Sequence, residues 1–303
     1  MKVLVTGGTG FVGQEVVRAL HLQHDVRVLV RNPEAPAAKR LETEYYARLH
    51  RGDVLESLTL GQAMHDTDAV IHLAGIISEA GQQTFENVHV RATENIIKAA
   101  RLAGTGRIVH MSALGTRFNA NSRYHQTKWR AEQFVSESGM NWTIMRPSII
   151  YGPNDHFVNM FARMAKFSPV LPVFGPGETK LQPVAVEDVA QCFAGALRQP
   201  RSYGQTLDVC GPERFTMPDL LRIICRTINR KRPIIHVPMG IARLMARFLE
   251  LFYGIASKPS PLTRDQLLML EEDNVGDSSA TMEMFNVRPT AFAQGIAAYL
   301  GAK

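Results

Sequence analysis

Residues 2–13 read KVLVTGGTGFVG, and the order of residue types within them decides the fold. The run Lys2–Thr6 is apolar and β-branched, the pattern of a buried strand. It passes directly into glycines at 7, 10 and 13, after which QEVVRALHLQ repeats its apolar residues at helical spacing. Strand, G-x-x-G-x-x-G turn and helix together make a dinucleotide-binding unit. Gly7 permits the tight turn, Gly10 lets the backbone approach a pyrophosphate, and Gly13 lets helix and strand pack closely. The helix N-terminus adds free N–H groups and the positive end of its dipole, so Gly7, Thr9 and Gly10 are candidate phosphate contacts.

Outward from this unit, strand and helix patterns alternate. DVRVLVRN (25–32), LHRGDV (49–54), DAVIHLAG (68–75), GRIVHMSALG (106–115) and NWTIMRPSIIYGP (141–153) read as strands. NVHVRATENIIKAARLAG (87–104) reads as an amphipathic helix stopped by Gly104. The alternation predicts a Rossmann-type, doubly wound parallel α/β sheet with its ligand crevice at the carboxyl ends of the strands. Residues 1–153 are expected to form this core and 154–303 a smaller C-terminal substrate lobe, the chain returning to the core around 174–210.

Residues just past the strand ends are then the candidate ligand contacts. The second strand ends in Arg31-Asn32 rather than an acid for the ribose 2′-OH, so a guanidinium is placed to pair with a 2′-phosphate. NADP(H) is therefore expected in preference to NAD(H), with Lys39 and Arg40 as helpers. Asp53 can accept from an adenine amine, and the small pair Ala74-Gly75 lets backbone pass close to the cofactor. His72 reads as a packed strand histidine, because no partner stands at metal-ligand spacing. In SRYHQTKWRAE (122–132), Tyr124 and Lys128 stand at i and i+4 on one helix face. A nearby ammonium favours the phenolate, which makes the pair a candidate acid–base catalyst.

Composition bounds the alternatives. In 303 residues, 45% are hydrophobic and 20% charged, the balance of a folded globular chain. Net charge is +6, with one basic cluster at RKR (230–232) and no interleaved aromatic–basic motif, which argues against nucleic acid and for an anionic cofactor or membrane surface. Three cysteines, Cys192, Cys210 and Cys225, lack metal spacing and read as reduced thiols of a cytoplasmic protein, and no leader segment is visible at the start.

The segments TGGTGFVG, GDV, HLAG, YHQTK, RPSIIYGP and VAVEDVA, in this order from residue 1 to about residue 195, resemble the short-chain dehydrogenase/reductase superfamily, particularly its extended and atypical branches. The resemblance implies that Gly7, Gly10, Phe11 and Val12 form the phosphate-binding turn and that Asp53 and Val54 contact the adenine. It places Ala74 and Gly75 beside the pyrophosphate and nicotinamide ribose, and Pro147, Ser148 and Ile149 around the nicotinamide. It makes Tyr124 the catalytic acid and Lys128 the group that binds the ribose and lowers the tyrosine pKa. Ser112 is the candidate third member, but its interval to Tyr124 is shorter than extended members generally have, which puts Ala113 or Leu114 near the expected place. The run PLTRDQ with DNV in SKPSPLTRDQLLMLEEDNV (257–275) is similar to that of the nucleotide-binding accessory subunit of mitochondrial complex I and its bacterial relatives.

Two functions stay open. One is a nucleotide-holding protein of the accessory-subunit type, in respiratory-chain or quinone metabolism. The other is an active reductase, or a sugar-nucleotide epimerase or dehydratase, using the Tyr–Lys pair. PMGIARLMARFLELFYGIA (238–256) is expected to be a helix with a broad apolar side and a stripe of Arg243, Arg247 and Glu250. Packing of that apolar side against the main domain is the favoured reading. Contact with the inner face of a membrane, a respiratory complex or a quinone is the alternative.

Overall fold

The computed structural model describes residues 1–301, and in it the opening strand β1 (Lys2–Thr6) is an interior strand of a seven-stranded sheet. On one side follow β2 (Asp25–Val30) and β3 (Arg48–Arg51). On the other follow β4 (Ala69–His72), β5 (Arg107–Met111), β6 (Asn141–Pro147) and, from far along the chain, β11 (Gln205–Val209). Every neighbouring pair is parallel. The order reverses direction between β1 and β4, and such a switch point opens a crevice at the carboxyl ends.

Both faces are covered, as a parallel sheet requires. Val3, Val5, Val28, Ile71 and Val109 face α1 (Phe11–Leu20) and α7 (Val186–Ala196). The alternate residues Leu4, Val70, Ile108 and Ile144 face α3 (Ser57–Met64), α4 (Ala92–Ala103) and α5 (Arg123–Ser136). Helix α2 (Pro36–Tyr45) adds Ala38 and Leu41 to the first side. Each fully buried aliphatic side chain contributes about 1.5–3 kcal/mol of transfer free energy.

The strands are shorter than their apolar runs. They stop at Val30, Arg51, His72 and Met111, which leaves Arg31, Asp53, Ala74 and Ser112 in loops at the crevice. The expected helix from residue 87 opens instead with a π-helical segment, Glu86–Arg91, before α4 begins. The wider turn of a π segment is a local irregularity often found at functional sites. Here it buries His89.

Later residues build the smaller lobe. Three short strand pairs frame it: β7 (Ile150–Tyr151) with β10 (Val184–Ala185), β8 (Leu171–Phe174) with β13 (Ile234–Val237), and β9 (Lys180–Leu181) with β12 (Phe215–Thr216). Its core joins Phe161 of α6 (Val158–Phe167), Leu220 and Ile224 of α8 (Met217–Thr227), and Phe292 and Ile296 of α12 (Phe292–Leu300). A short α11 (Ser279–Met284) packs near β11.

Helix α9 (Met239–Ile255) departs from the expectation that its apolar side is packed. Only Ala242 and Ala246 are buried, against Leu267 of α10 (Arg264–Leu270). The small alanines allow α10 to approach, and the large residues Phe248, Leu251, Phe252 and Ile255 face outward. No helix among the described residues is long and apolar enough to cross a membrane.

Candidate active site

The glycine turn has the close contacts its sequence requires. Gly7 has φ +74°, and a Cβ there would lie 2.8 Å from the amide nitrogen of Ala74. A Cβ on Gly13 would stand 2.2 Å from the Gly7 carbonyl oxygen, so helix and turn approach as only glycine allows. The Gly10 amide donates to the Gly7 carbonyl at 3.0 Å, and the Gln14 side-chain amide donates to the Thr9 carbonyl at 3.2 Å. Gly10 caps α1 with no side-chain bond to the helix, and its first turn holds no acid. The amides at this end remain available to an anion, so the turn fits a dinucleotide pyrophosphate. Val12 is buried, and Phe11 stands beside Gly152, where a Cβ would come within 3.2 Å of its ring.

At the ends of β2 and β3, Arg31 and Asn32 are exposed. The Asn32 Oδ1 accepts from the Glu34 amide at 3.0 Å, which places a carboxylate residue in the same turn. Asp53 Oδ1 accepts from the Leu55 amide at 2.9 Å, and the Val54 carbonyl accepts from Asn95 Nδ2 at 3.2 Å.

Helix α5 carries the chemical pair, and contacts distant in sequence aim it. Ser122 caps it by accepting from the His125 amide at 3.3 Å. Asp265 at the start of α10 accepts from the Arg123 and Tyr124 amides at 2.7 and 3.0 Å, so a carboxylate meets the positive end of the helix dipole. On the next turns Glu132, buried, forms a bidentate pair with Arg146 of β6 at 2.8 and 2.6 Å. Between these anchors lie Tyr124 and Lys128, both buried. Lys128 Nζ donates to the Met111 carbonyl at 3.0 Å, and a Cβ on Gly75 would stand 3.1 Å from the same nitrogen. The ammonium therefore sits where the ends of β4 and β5 meet the phosphate turn.

The ring of Tyr124 packs edge-on against Phe85 and His89, with centroids 5.9 and 5.3 Å away. His89 is held through Nδ1, 2.9 Å from Thr127 Oγ1, and Nε2, 3.1 Å from the Ile76 carbonyl. His72 lies between Thr6 at 2.6 Å and Thr93 at 3.2 Å, a packed strand histidine. Burial, with Lys128 adding to it, pushes His72 down to about 3 and His89 down to about 2, while His110 is held well below the ordinary value. Lys128 is thus a cation surrounded by neutral rings. Burial lowers its own pKa to about 8, against the opposing pull of Glu132. Burial also pushes the Tyr124 phenol up to about 12, because a buried phenolate is desolvated.

Ser112 is buried just past β5, its amide donating to the Met145 carbonyl at 2.7 Å. Its hydroxyl turns to Thr116 Oγ1 at 3.4 Å, which in turn lies 3.2 Å from His125 Nδ1. Pro147, Ser148 and Ile149 form a wall tied to the lobe. The Ser148 hydroxyl donates to the Gln182 carbonyl, and the Ile149 amide donates to Asn274 Oδ1 at 3.2 Å. Sequence reasoning missed the supporting roles of His89, Thr116, Asp265 and Asn274. The last two lie inside the PLTRDQ and DNV runs, whose physical purpose is now visible. Thr263 and Gln266 make a capping box that starts α10 and presents Asp265, while Asn274 also donates through its side chain to the Leu114 carbonyl at 3.4 Å. All three cysteines are buried free thiols, and no cluster of three or more candidate metal ligands occurs among the described residues.

The model of the NAD dependent epimerase/dehydratase family matches residues 3–210. Among relatives, subunit 9 of the NADH dehydrogenase [ubiquinone] 1 alpha subcomplex of Arabidopsis thaliana is 30% identical over 275 residues, covering 89% of this chain and 68% of that protein. The chain spans 62% of the rat counterpart. A ceramide reductase of Caulobacter vibrioides is 30% identical over 260 residues, covering 85% of this chain and 80% of that protein. The dTDP-glucose 4,6-dehydratase DesIV of Streptomyces venezuelae, solved with NAD and TYD bound, superposes with a TM-score of 0.77 at 21% identity over 99% of this chain and 96% of that one.

The expected preference for NADP(H) is corrected. DesIV, the Bacillus anthracis dehydratase and the Bacillus cereus UDP-glucuronic acid 4-epimerase were captured with NAD, whereas an Escherichia coli quinone oxidoreductase was captured with NADPH. The physical reason lies beside Arg31. Lys39 pairs with Glu34 and Glu42 at 3.2 and 3.6 Å, and Arg40 with Glu44 at 2.9 Å. Both helper cations already stand in carboxylate pairs, so neither is left free for a 2′-phosphate.

Proposed function

The chain belongs to the NAD-dependent epimerase/dehydratase family, and from that premise we propose that it is an NAD-dependent oxidoreductase that reduces a carbonyl group with Tyr124 as the acid. The observation that carries this reading is the buried Lys128 ammonium, 3.1 Å from a Cβ on Gly75 at the carboxyl edge of the sheet, with Tyr124 one turn away and also buried on α5. Gly7, Thr9, Gly10, Phe11 and Val12 would hold the pyrophosphate, Asp53 and Val54 the adenine, and Ala74, Gly75 and Lys128 the ribose near the nicotinamide. Pro147, Ser148 and Ile149 would wall the ring.

When bound, the nicotinamide supplies the hydride. Tyr124 gives its phenolic proton to the carbonyl oxygen as that oxygen gains negative charge. The phenol is protonated at neutral pH and so has a proton to give. Lys128 stabilises the phenolate left behind, and the proton returns from solvent. The ceramide reductase relative supports the reductive direction. A second reading, a nucleotide-holding accessory subunit of respiratory or quinone metabolism, is favoured by the Arabidopsis relative and by a Ser112 hydroxyl that turns away to Thr116.

The two readings separate on one variant. Purified protein given NADH and a panel of aldehydes, ketones and quinones is expected to oxidise the nucleotide, and Tyr124→Phe to lose at least about 10²-fold of that turnover. Retained nucleotide with no turnover in the parent protein would instead establish the holding role.

A further inference from the structure

Helix α9 is apolar on the wrong side for a core helix. Ile241, Leu244, Phe248, Leu251, Phe252 and Ile255 recur at i, i+3, i+7, i+10, i+11 and i+14, one continuous stripe. All are exposed, with Phe248 at 65%, Leu251 at 66%, Phe252 at 72% and Ile255 at 81%. The opposite side is already occupied, Ala242 and Ala246 packing on Leu267. The outward stripe is therefore uncovered among the described residues. At 17 residues the helix is about 25 Å long, too short to span a bilayer and long enough to lie along one.

The flanks of the stripe are held down by chemistry on the same lobe. Arg243 pairs with Glu271 at 2.6 Å and Glu250 with Arg264 at 2.7 Å. Arg247 makes no ion pair among the described residues, and Lys258 is exposed just past the helix. The basic RKR cluster (230–232) precedes the helix, and the net charge of the chain is +6. The excess of basic charge favours an anionic bilayer over a second copy of the same charge, and the acyl region of that bilayer can cover the apolar stripe. The far end of α9 also leads to the active site. The segment that follows it touches the β4 loop, where the Ser78 hydroxyl donates to the Ser260 carbonyl at 3.2 Å and the Gln266 side chain donates to the Ile77 carbonyl at 3.4 Å. Ile77 is itself 55% exposed, and Asp265 of the same segment caps the helix that bears Tyr124.

We propose that α9 seats the protein on an anionic lipid bilayer, with its apolar stripe in the interface, so that the Tyr124 cleft takes an amphiphilic carbonyl substrate from the membrane surface. The membrane contact stands on α9 alone; the substrate class rests on the reductase reading above. The full-length protein is to be floated with vesicles of phosphatidylcholine, with and without phosphatidylglycerol, at low and high salt. Binding is expected only to the anionic vesicles and weakens with salt. Phe248→Glu with Phe252→Glu is expected to lower binding by more than about tenfold, because each ring loses its apolar burial. NADH affinity and turnover of a water-soluble carbonyl compound stay unchanged, since neither side chain touches the cleft.

Absence of binding to anionic vesicles at low salt, or equal binding by the double variant, would overturn the seat. A concentration-dependent dimer in analytical ultracentrifugation that the same variant dissolves, with no vesicle binding, would assign the stripe to a second copy and also overturn it. If Tyr124→Phe keeps full turnover while vesicle binding persists, the reductase reading fails and the membrane contact stands. If turnover of a long-chain carbonyl substrate in vesicles is no faster than that of its short-chain analogue, the substrate assignment fails.

Discussion

Helices α5 and α9 are inverted in opposite senses. Helix α5 buries Ala131 and Val135 but also five polar residues beside them, Tyr124, His125, Thr127, Lys128 and Glu132. Helix α9 buries two alanines and leaves its large apolar residues outside. Each breaks the rule that apolar side chains go in and polar ones out, and the exceptions to that rule carry the information. Polar groups in α5 are tolerated because nearly every one is bonded: Glu132 to Arg146, Lys128 to Met111, Thr127 to His89. The apolar stripe of α9 has no such partner among the described residues. One helix is inverted by what it does inside the fold, and the other by what it meets outside.

The largest test of this contrast is Lys128→Met. It is expected to cut turnover by at least about 10²-fold and at the same time to stabilise the fold. The folded pKa of about 8 lies below the ordinary 10.5, so burying the charged amine costs stability, a cost fully present below about pH 8 and relieved as pH rises towards 10.5. A neutral side chain removes it, and urea unfolding at pH 7 is expected to show a gain of about 1–3 kcal/mol. A loss of stability would mean that the Met111 bond outweighs desolvation, and that α5 is polar for structural reasons.

A second effect is smaller. Because Lys128 loses its charge above about pH 8, kcat/KM for carbonyl reduction is expected to fall by about tenfold per pH unit beyond that point. A profile that stays flat well into the alkaline range would remove Lys128 from the chemistry.

The smallest effects lie on α9, where inner and outer sides are to be compared directly. Ala246→Leu is expected to destabilise by about 1–3 kcal/mol through overpacking against Leu267. Phe252→Ser on the outer side is expected to change stability by no more than about 0.5 kcal/mol. Equal losses in thermal unfolding would show that the outer stripe is packed after all.

Much of the fold was legible from short-range pattern. The β1–turn–α1 unit, the alternation through β6 and the pairing of Tyr124 with Lys128 on one helix face all follow from spacings within a few residues. Residues just past the strand ends, such as Asp53, Ala74 and Gly75, also fell at the crevice, because a parallel sheet directs all its carboxyl ends to one edge. What failed was charge and environment. Arg31 was read with Lys39 and Arg40 as helpers, whereas Glu34, Glu42 and Glu44 pair with those two cations. The burial that raises the Tyr124 phenol was equally invisible, because it comes from elements far apart in the chain.

The amino-acid sequence by itself determined the Rossmann-type core, the glycine turn and the i, i+4 Tyr–Lys pair. These depend on backbone freedom and periodicity, which are local. Only the tertiary structure decided that Asp265 caps α5 from 141 positions away, that His89 supports the tyrosine ring, and that the apolar side of α9 faces out. An amphipathic pattern states that a face seeks cover. Which face finds it depends on the neighbours the fold supplies, and here the short α10 covers two alanines.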